Sequence, residues 1–281
     1  MSRRPRFRYL TVHAVLVYAF LFAPILVLVV FSFNEARSGT TWTGFSTRWY
    51  SALTGDEAVR RAFTNTLKVA VASTLLATVL GTFAAFALAR HRFRGHRAYS
   101  ALVLVSLVAP EIVMGIALLV FFRRVVDVPL GLGTVILAHV TFCLAFVIVV
   151  VRARLARFDE SLTEAAADLG ATPAQTFLRV VLPLAAHGIL GGAILAFVIS
   201  LDDVVITFFT AGPGSTTLPI YILGEVRRGV APSINALSTI VLVASLAVLA
   251  LGAAVTARAA RRSDSPSTRS GRPVRSPGTH R

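Results

Sequence analysis

The sequence is poor in charged residues and contains almost no cysteine or lysine. Charged residues make up 15% of its 281 residues and hydrophobic residues 56%, whereas about a quarter of the residues in a soluble domain are charged. This composition excludes an ordinary soluble domain and indicates a membrane protein. The single cysteine, Cys143, lies inside an apolar run. The chain alone can therefore build neither a disulfide nor a cysteine-based metal cluster.

The scarcity of lysine and the scattering of histidine argue against an enzyme. A phosphate-binding G-x-x-x-x-G-K-[ST] loop needs a lysine after glycine, but the only lysine, Lys68, follows Leu67. We therefore expect no ATP hydrolysis by this chain. Its six histidines lie in different segments and form no catalytic set with a nucleophile. We expect His139 and His187, which lie in apolar segments, to be hydrogen-bonded packing residues and not ligands.

Six apolar segments are long enough to cross a membrane as helices. About 20 apolar residues span the hydrocarbon core, and a helix satisfies its own backbone groups there. The sequence therefore predicts an all-α polytopic membrane protein. The first segment is too long for a secretory signal and lacks a clear cleavage site, so we expect it to remain as a span. The predicted spans are Leu10–Phe33, Thr66–Ala89, Ala98–Phe122, Val128–Val151, Leu184–Phe209 and Ala236–Ala257.

Basic residues predict the orientation of these spans. The formal net charge of +15 is concentrated in short segments between apolar runs, which is typical of topology signals and not of a nucleic-acid-binding face. With a cytoplasmic N-terminus, nineteen of the 28 lysine and arginine residues fall on the inner side, as the positive-inside rule describes. Both termini are therefore predicted to be cytoplasmic.

The segments outside the spans also have distinct compositions. The outer segment 34–65 contains Trp42, Phe45, Trp49 and Tyr50, aromatic residues that favour the membrane interface, so we expect a short surface helix there. Residues 263–281 are mostly serine, proline, arginine and glycine, which predicts a disordered basic tail. The chain thus divides into an N-terminal segment 1–9, a membrane domain 10–262 and this tail.

The loop between the fourth and fifth spans, residues 155–183, has the pattern of two short helices joined by a turn. Gly170 is a typical helix-ending residue, Thr172 can cap the second helix with Gln175 at the reciprocal position, and Pro183 stops that helix or starts the next span. The first helix is predicted from apolar residues at a spacing of three to four, namely Leu155, Phe158, Leu162, Ala165 and Leu169.

This loop resembles the EAA motif of ABC importer permeases, which reads E-A-A, three residues, G, nine residues and I-x-L-P. Val180 replaces the isoleucine, and the matching residues are Glu164, Ala165, Ala166, Gly170, Leu182 and Pro183. The resemblance implies that the short helix docks on a cytoplasmic ATPase and transmits its closure to the spans. The alternative is an ordinary amphipathic loop helix. A DNA-binding helix-turn-helix is discarded, because a loop attached to spans at both ends could not enter a major groove.

Three carboxylates inside the predicted spans are candidates for the substrate pathway. Glu111 lies midway along the third span, and Asp202 and Asp203 lie in the outer part of the fifth. An acidic pathway favours a cationic substrate. Alternatively, these carboxylates pair with arginines of a sister subunit or cap broken helices. Adjacent residues on a helix project about 100° apart, so we expect only one aspartate to face the pathway.

Longer segments are similar to the C-type permease of spermidine/putrescine ABC transporters, over most of residues 40–245. This resemblance implies a type I importer permease in the bacterial inner membrane that carries polyamine. It also implies a heterodimer with a second permease, two ATPase subunits that hold the ATP and Mg, and an extracytoplasmic substrate-binding protein. The segments that carry it include Trp42–Phe45, Asn65–Leu67, Phe86–Arg90, Pro110–Met114, Ser200–Asp203, Gly212–Gly214, Leu218–Pro219, Gly229–Val230 and Asn235–Leu237.

Several alternatives remain open at this point. The same kind of permease could carry iron, an amino-acid-like solute or an oxyanion. A secondary transporter would need its own coupling-ion site, and no inverted repeat supports one. A membrane enzyme is disfavoured by the missing catalytic set. The Gly-Pro-Gly loop at residues 211–219 either lines the outer gate, touches the binding protein or is a plain connecting turn.

Overall fold

The structure is a computed structural model and describes residues 4–36, 41–90, 93–156, 159, 161–229 and 232–263. Within these ranges the chain is almost entirely helical, and one isolated β-bridge joins Asn34 to Phe45. The helices are α1 (Arg4–Phe31), α2 (Arg48–Thr54), α3 (Glu57–Arg90), α4 (His96–Val108), α5 (Glu111–Val120), α6 (Leu132–Leu155), α7 (Ser161–Asp168), α8 (Pro173–Thr176), α9 (Leu182–Asp202), α10 (Val205–Thr210), α11 (Leu218–Arg228) and α12 (Pro232–Ser263). A π-helical turn, Phe121–Val125, extends α5, and another, Phe177–Val181, joins α8 to α9.

The number of spans agrees with the prediction, but the third span is not straight. Five helices in the described part of the chain are long and apolar enough to cross a membrane, and α4 with α5 makes a sixth if they form one span. These two helices are bent by 113° at their junction. Ala109 there has an extended backbone, with ψ at 133°, which is the conformation favoured before a proline. Pro110 thus explains why a single straight span is wrong.

The fifth span also ends earlier than predicted. The helix was expected to reach Phe209, but α9 ends at Asp202 and Asp203 is extended, with ψ at 130°. A separate short helix, α10, follows from Val205. The break divides the predicted span into two helices, and the hydrogen bonds of Asp203 described below account for it.

The core of the fold is formed by α3, α6 and α9, which pack against one another. Buried side chains from all three meet there, among them Ala77, Val147 and Ala196. Small residues bring the helix backbones close together, which is common where membrane helices pack. A β-carbon added at Gly81 on α3 would lie 2.7 Å from Cγ1 of Val147 on α6. The three helices therefore form a closely packed central unit.

The helix α1 lies at the edge of the fold. It packs along α12, and its most apolar stretch, Tyr9–Phe31, has no buried residue. Residues 1–3 lie outside the described part, so the predicted N-terminal segment 1–9 is described only from Arg4 onward. An apolar surface of this length suits a helix surrounded by lipid or covered by another membrane subunit.

The loop after α1 is organised around a buried asparagine. The side-chain Nδ2 of Asn34 donates to the carbonyl of Thr41 at 2.6 Å, and its Oδ1 accepts from the N–H of Thr43 at 3.0 Å. The indole N–H of Trp49 donates to the carbonyl of Asn34 at 2.8 Å. Trp49 lies on α2, which confirms the predicted short helix in this segment. The role of Asn34 was missed, because no periodic pattern marks it.

Replacing Gly81 by alanine should force α3 away from α6 and lower the melting temperature of the protein purified in detergent. Overpacking costs about 1–3 kcal/mol, which exceeds the ~1 kcal/mol that alanine gains over glycine in a helix. The matched control is Gly133→Ala on α6, where an added β-carbon meets nothing within 4 Å. The control should melt at or above the wild-type temperature. Equal melting of Gly81→Ala and wild type would contradict this packing.

Candidate functional site

The loop that contains the EAA-like motif has the predicted turn. The helix α7 ends at Asp168, and Gly170 has a φ of +79°, a conformation that glycine adopts without strain. The N–H groups of Gly170 and Ala171 donate to the carbonyls of Ala167 and Ala166 at 2.9 and 3.0 Å. These bonds satisfy carbonyls left open at the end of α7. Gly170 therefore ends the helix as the sequence predicted.

The second helix of the loop begins with the predicted cap. The hydroxyl oxygen of Thr172 accepts from the N–H of Gln175 at 3.3 Å, and Oε1 of Gln175 accepts from the N–H of Thr172 at 2.9 Å. From Pro173 the chain continues through the π-helical turn into α9 as one helix that ends at Asp202. Pro183 lies in the first turn of α9. Pro183 therefore does not stop the preceding helix, and it lies within this continuous helix just after the π-helical turn.

The first helix of the loop starts later than predicted. Leu155 is the last residue of α6 and is buried in the core, whereas α7 begins at Ser161. The prediction of one helix from Leu155 to Leu169 is therefore wrong. Tertiary packing places Leu155 in the preceding span, although its spacing fits the following helix. Phe158 lies outside the described residues.

The motif residues present an open surface. Glu164, Ala165, Gly170 and Pro183 are exposed, and Ala166 and Leu182 are half-buried. Leu169, between Ala166 and Gly170, is 89% exposed, the most exposed large hydrophobic side chain in the described part of the chain.

Two contacts attach this loop to the membrane helices. The guanidinium of Arg90, at the end of α3, donates to the hydroxyl of Thr163 on α7 at 3.2 Å. The ring of Phe177 lies edge-on to Phe86 of α3, with centroids 4.7 Å apart. The exposed surface of α7 is therefore connected to both α3 and α9.

The three pathway carboxylates occupy different environments. Glu111 is the first residue of α5 and is exposed at the break after α4. Asp202 is the last residue of α9 and is also exposed. The side chain of Asp203 is only 4% exposed. The two adjacent aspartates thus differ in exposure, as predicted. The physical reason differs, because Asp203 lies outside α9 with an extended backbone.

Asp203 caps the helix α10. Its carboxylate accepts from the N–H groups of Ile206 and Thr207 at 3.2 and 2.8 Å, and from the hydroxyl of Thr207 at 2.8 Å. Nε2 of His139, on α6, lies 3.3 Å from Oδ2 of Asp203. The first N–H groups of a helix have no partner within it. The geometry therefore supports the alternative in which this carboxylate caps a broken helix.

Asp202 faces a cavity of about 420 Å³ between the end of α9 and the helices α11 and α12. Among the described residues its carboxylate has no hydrogen-bond or ion-pair partner. Glu111 is not part of this cavity. The other residues that line it are Val204, Pro219, Ile222, Leu223, Val226, Ser238, Val241, Leu242 and Ser245. The cavity thus combines one free carboxylate with a mostly aliphatic wall.

The two histidines in the spans differ. His139 is hydrogen-bonded at both ring nitrogens, to Ser200 at 2.7 Å and Thr207 at 2.9 Å, which confirms the prediction for this residue. Nδ1 of His187 is buried without a hydrogen-bond partner among the described residues. The prediction that His187 is hydrogen-bonded is therefore not supported at that atom. Within the described ranges, no group of three histidine, cysteine, aspartate or glutamate residues could hold a metal ion.

The Gly-Pro-Gly loop is hydrogen-bonded to the N-terminal part of α3. The amide of Asn65 donates to the carbonyls of Gly214 and Thr216 at 2.9 and 3.1 Å. The N–H of Leu218 donates to the hydroxyl of Thr66 at 2.7 Å. This loop therefore lies at the end of the bundle opposite α7, because α7 contacts the other end of α3.

Comparisons with known proteins identify the family. Residues 77–263 match the family described as "Binding-protein-dependent transport system inner membrane component". The chain is 43% identical over 233 residues to the spermidine/putrescine transport system permease protein PotC of Escherichia coli K12, which covers 83% of this chain and 88% of the relative. It is 45% identical over 231 residues to the putrescine transport system permease protein PotI of the same strain, which covers 80% and 82%.

The chain belongs to this family of importer permeases. A solved structure of a bacterial alginate ABC transporter, in complex with its alginate pentasaccharide-bound periplasmic protein, has the same fold. Its TM-score is 0.69 at 17% identity, and the match covers 89% of this chain and 93% of that chain. The predicted type I importer permease fold is thus confirmed.

Membership of the permease family also decides the general role of the chain. It is a membrane-spanning transport subunit of the inner membrane and not an enzyme, as the sequence predicted. The sequence did not predict the hydrogen bonds that join His139, Ser200 and Thr207 to Asp203. A histidine in the fourth predicted span, together with a serine and a threonine in the fifth, was the only signal for them.

Replacing Asp203 by alanine should destabilise this permease, whereas Asp202→Ala should leave its melting temperature unchanged. Asp203→Ala leaves buried donors of α10 and the imidazole without an acceptor, and each unsatisfied group costs about 1–3 kcal/mol. Asp202 is exposed and makes no such bond. Thermal unfolding of both variants in detergent measures the difference. Equal losses of stability would contradict the distinct placement of the two carboxylates.

Proposed function

We propose that this permease forms half of the import pathway for a polyamine, spermidine or putrescine. The observation that carries the proposal is the identity of 43% and 45% to permeases named for these substrates, over about four-fifths of the chain. A relative of this similarity supports a shared substrate class more strongly than the common fold does, because the same fold occurs in an alginate transporter.

The cavity beside Asp202 has chemistry that suits such a substrate. A polyamine consists of ammonium groups separated by methylene chains. The free carboxylate of Asp202 can accept hydrogen bonds from one ammonium group, while aliphatic side chains such as Ile222 and Val241 contact the methylene groups. The exposed carboxylate of Glu111 adds negative charge to the pathway. Both carboxylates repel anions by the same Coulomb interaction that attracts cations.

The α7 loop is the proposed docking site for an ATPase subunit. Two observations support this proposal. Leu169 is exposed, and the EAA motif is matched by Glu164, Ala165, Ala166, Gly170, Leu182 and Pro183. ATP and Mg are then bound by the partner chain. The related alginate structure, an ABC transporter bound to a periplasmic protein, supports an extracytoplasmic binding protein as a further partner. A second permease subunit is proposed from the resemblance to the C-type permease of spermidine/putrescine transporters.

The connection between docking site and cavity suggests how coupling works. The helix from Pro173 to Asp202 has 30 residues, so it is about 45 Å long at 1.5 Å per residue. It begins in the docking loop and ends at the pathway carboxylate. A displacement of the loop as the ATPase closes would therefore move the cavity wall and change access to it. In this arrangement α7 and both termini are cytoplasmic, and the Gly-Pro-Gly loop faces the binding protein.

A panel of solutes offered to the complete complex tests the substrate class. The assay measures ATP turnover in vesicles that contain the permease pair, the ATPase and the binding protein. Spermidine or putrescine should stimulate turnover. Amino acids and molybdate should not, because the described lining offers no cationic group for their negative charge. Ferric iron should not, because it needs several ligands and the described lining offers one carboxylate. Stimulation by an oxyanion without any by a polyamine would refute the proposal.

Substitutions in α7 should uncouple transport from ATP hydrolysis. Glu164→Lys reverses a charge on the docking surface, and Gly170→Pro is incompatible with a φ of +79°. Both variants should lose nearly all substrate-stimulated turnover and still insert as folded permease. The control is Glu57→Lys, an exposed acid at the opposite end of α3, which should keep wild-type stimulation. Normal stimulation in both α7 variants would show that this loop does not couple.

A further inference from the structure

Asp202 lies between two residues that bind the same imidazole. Nδ1 of His139 is 2.7 Å from the hydroxyl oxygen of Ser200, and Nε2 is 3.3 Å from the carboxylate of Asp203. Ser200 precedes Asp202 by two residues and Asp203 follows it directly. One histidine on α6 therefore holds the chain on both sides of the pathway carboxylate.

The same hydrogen bonds continue to two more helices. The hydroxyl of Ser200 is 2.9 Å from that of Ser73 on α3, and the hydroxyl of Thr207 on α10 is 2.9 Å from Nε2 of His139. Ser73 and Thr207 are fully buried, and His139 is 2% exposed. Because water cannot replace these partners, the bonds rigidly connect α3, α6, α9 and α10. The end of α9 is therefore fixed against the core of the bundle.

The donors and acceptors of this hydrogen-bond network match when the imidazole of His139 is neutral. Thr207 donates to Asp203, so Nε2 of His139 must carry the hydrogen that points toward this pair. Nδ1 then accepts from Ser200, which accepts from Ser73.

This anchoring determines the direction of Asp202. Ser200 and Asp203 are turned toward His139 and the interior. Asp202 is the last residue of α9, whereas Asp203 lies outside the helix with an extended backbone. Asp202 lines the cavity beside α11 and α12. We propose that His139, Ser200, Asp203 and Thr207 are positioning residues, which fix the break between α9 and α10 so that the carboxylate of Asp202 faces the substrate. In this arrangement Asp203 does not contact the substrate.

Because the inference rests on the proposed polyamine transport, its first test measures spermidine uptake by the complete complex. Thr207→Val removes the hydroxyl with little change of shape, and Thr207→Ser retains it. Thr207→Val should raise the half-saturating spermidine concentration by about tenfold, equivalent to ~1.4 kcal/mol, and change the maximal rate much less. Thr207→Ser should behave like wild type.

A double-mutant cycle identifies the residue through which Thr207 acts. In an Asp202→Asn background, Thr207→Val should have no further effect on half-saturation, because the carboxylate that it positions is already gone. The same increase in both backgrounds would overturn the inference. So would an unchanged half-saturating concentration in Thr207→Val alone, since a purely structural role would lower stability without changing substrate affinity.

A second measurement does not depend on the substrate. Cys143 is the only cysteine and is buried, so Asp202→Cys introduces a single accessible thiol. Its rate of reaction with a hydrophilic maleimide should change severalfold when Thr207→Val is added and should stay the same with Thr207→Ser. Equal rates in all three proteins would overturn the positioning role. If wild type takes up no polyamine, the proposed function fails, and this labelling still decides the inference.

Discussion

The hydrogen bonds of Asp203 stabilise the break between α9 and α10 and hold this part of the chain against α6. A helix that ends inside a membrane leaves backbone groups without partners, and lipid offers none. Here the carboxylate of Asp203 satisfies the first N–H groups of α10, and His139 holds that carboxylate from α6. Asp202, the last residue of α9, lines a cavity beside this break. Without this capping, the first N–H groups of α10 would be buried without an acceptor.

The long helix that ends at this break relates the two functional regions to each other. It starts at Pro173, directly after the turn made by Gly170, and it ends at Asp202. Close packing of α9 against α3 and α6 makes the unit stiff. A movement at the α7 end would therefore be transmitted along a packed helix to the cavity. In the proposed coupling, this is the physical route by which an ATPase docked on α7 acts on the substrate.

The sequence predicted what depends on local spacing and missed what depends on distant partners. The six apolar segments, the turn at Gly170 and the cap of Thr172 with Gln175 all follow from neighbouring residues. The sequence predicted a broken helix at these carboxylates only as an alternative. The residues after Asp203 are as apolar as a continuing span, and His139, which stabilises the break, lies on another helix. Leu155 illustrates the same limit, since its spacing fits α7 while its packing belongs to α6.

In the proposed mechanism, the carboxylate of Asp202 binds a cationic group of the substrate while Asp203 stays with His139. The most direct measurement is a structure of the assembled transporter, trapped with spermidine in its pathway. A spermidine ammonium group should lie within hydrogen-bonding distance of Asp202, with the bonds between Asp203 and His139 intact. Spermidine bound away from Asp202, or in direct contact with Asp203, would contradict it.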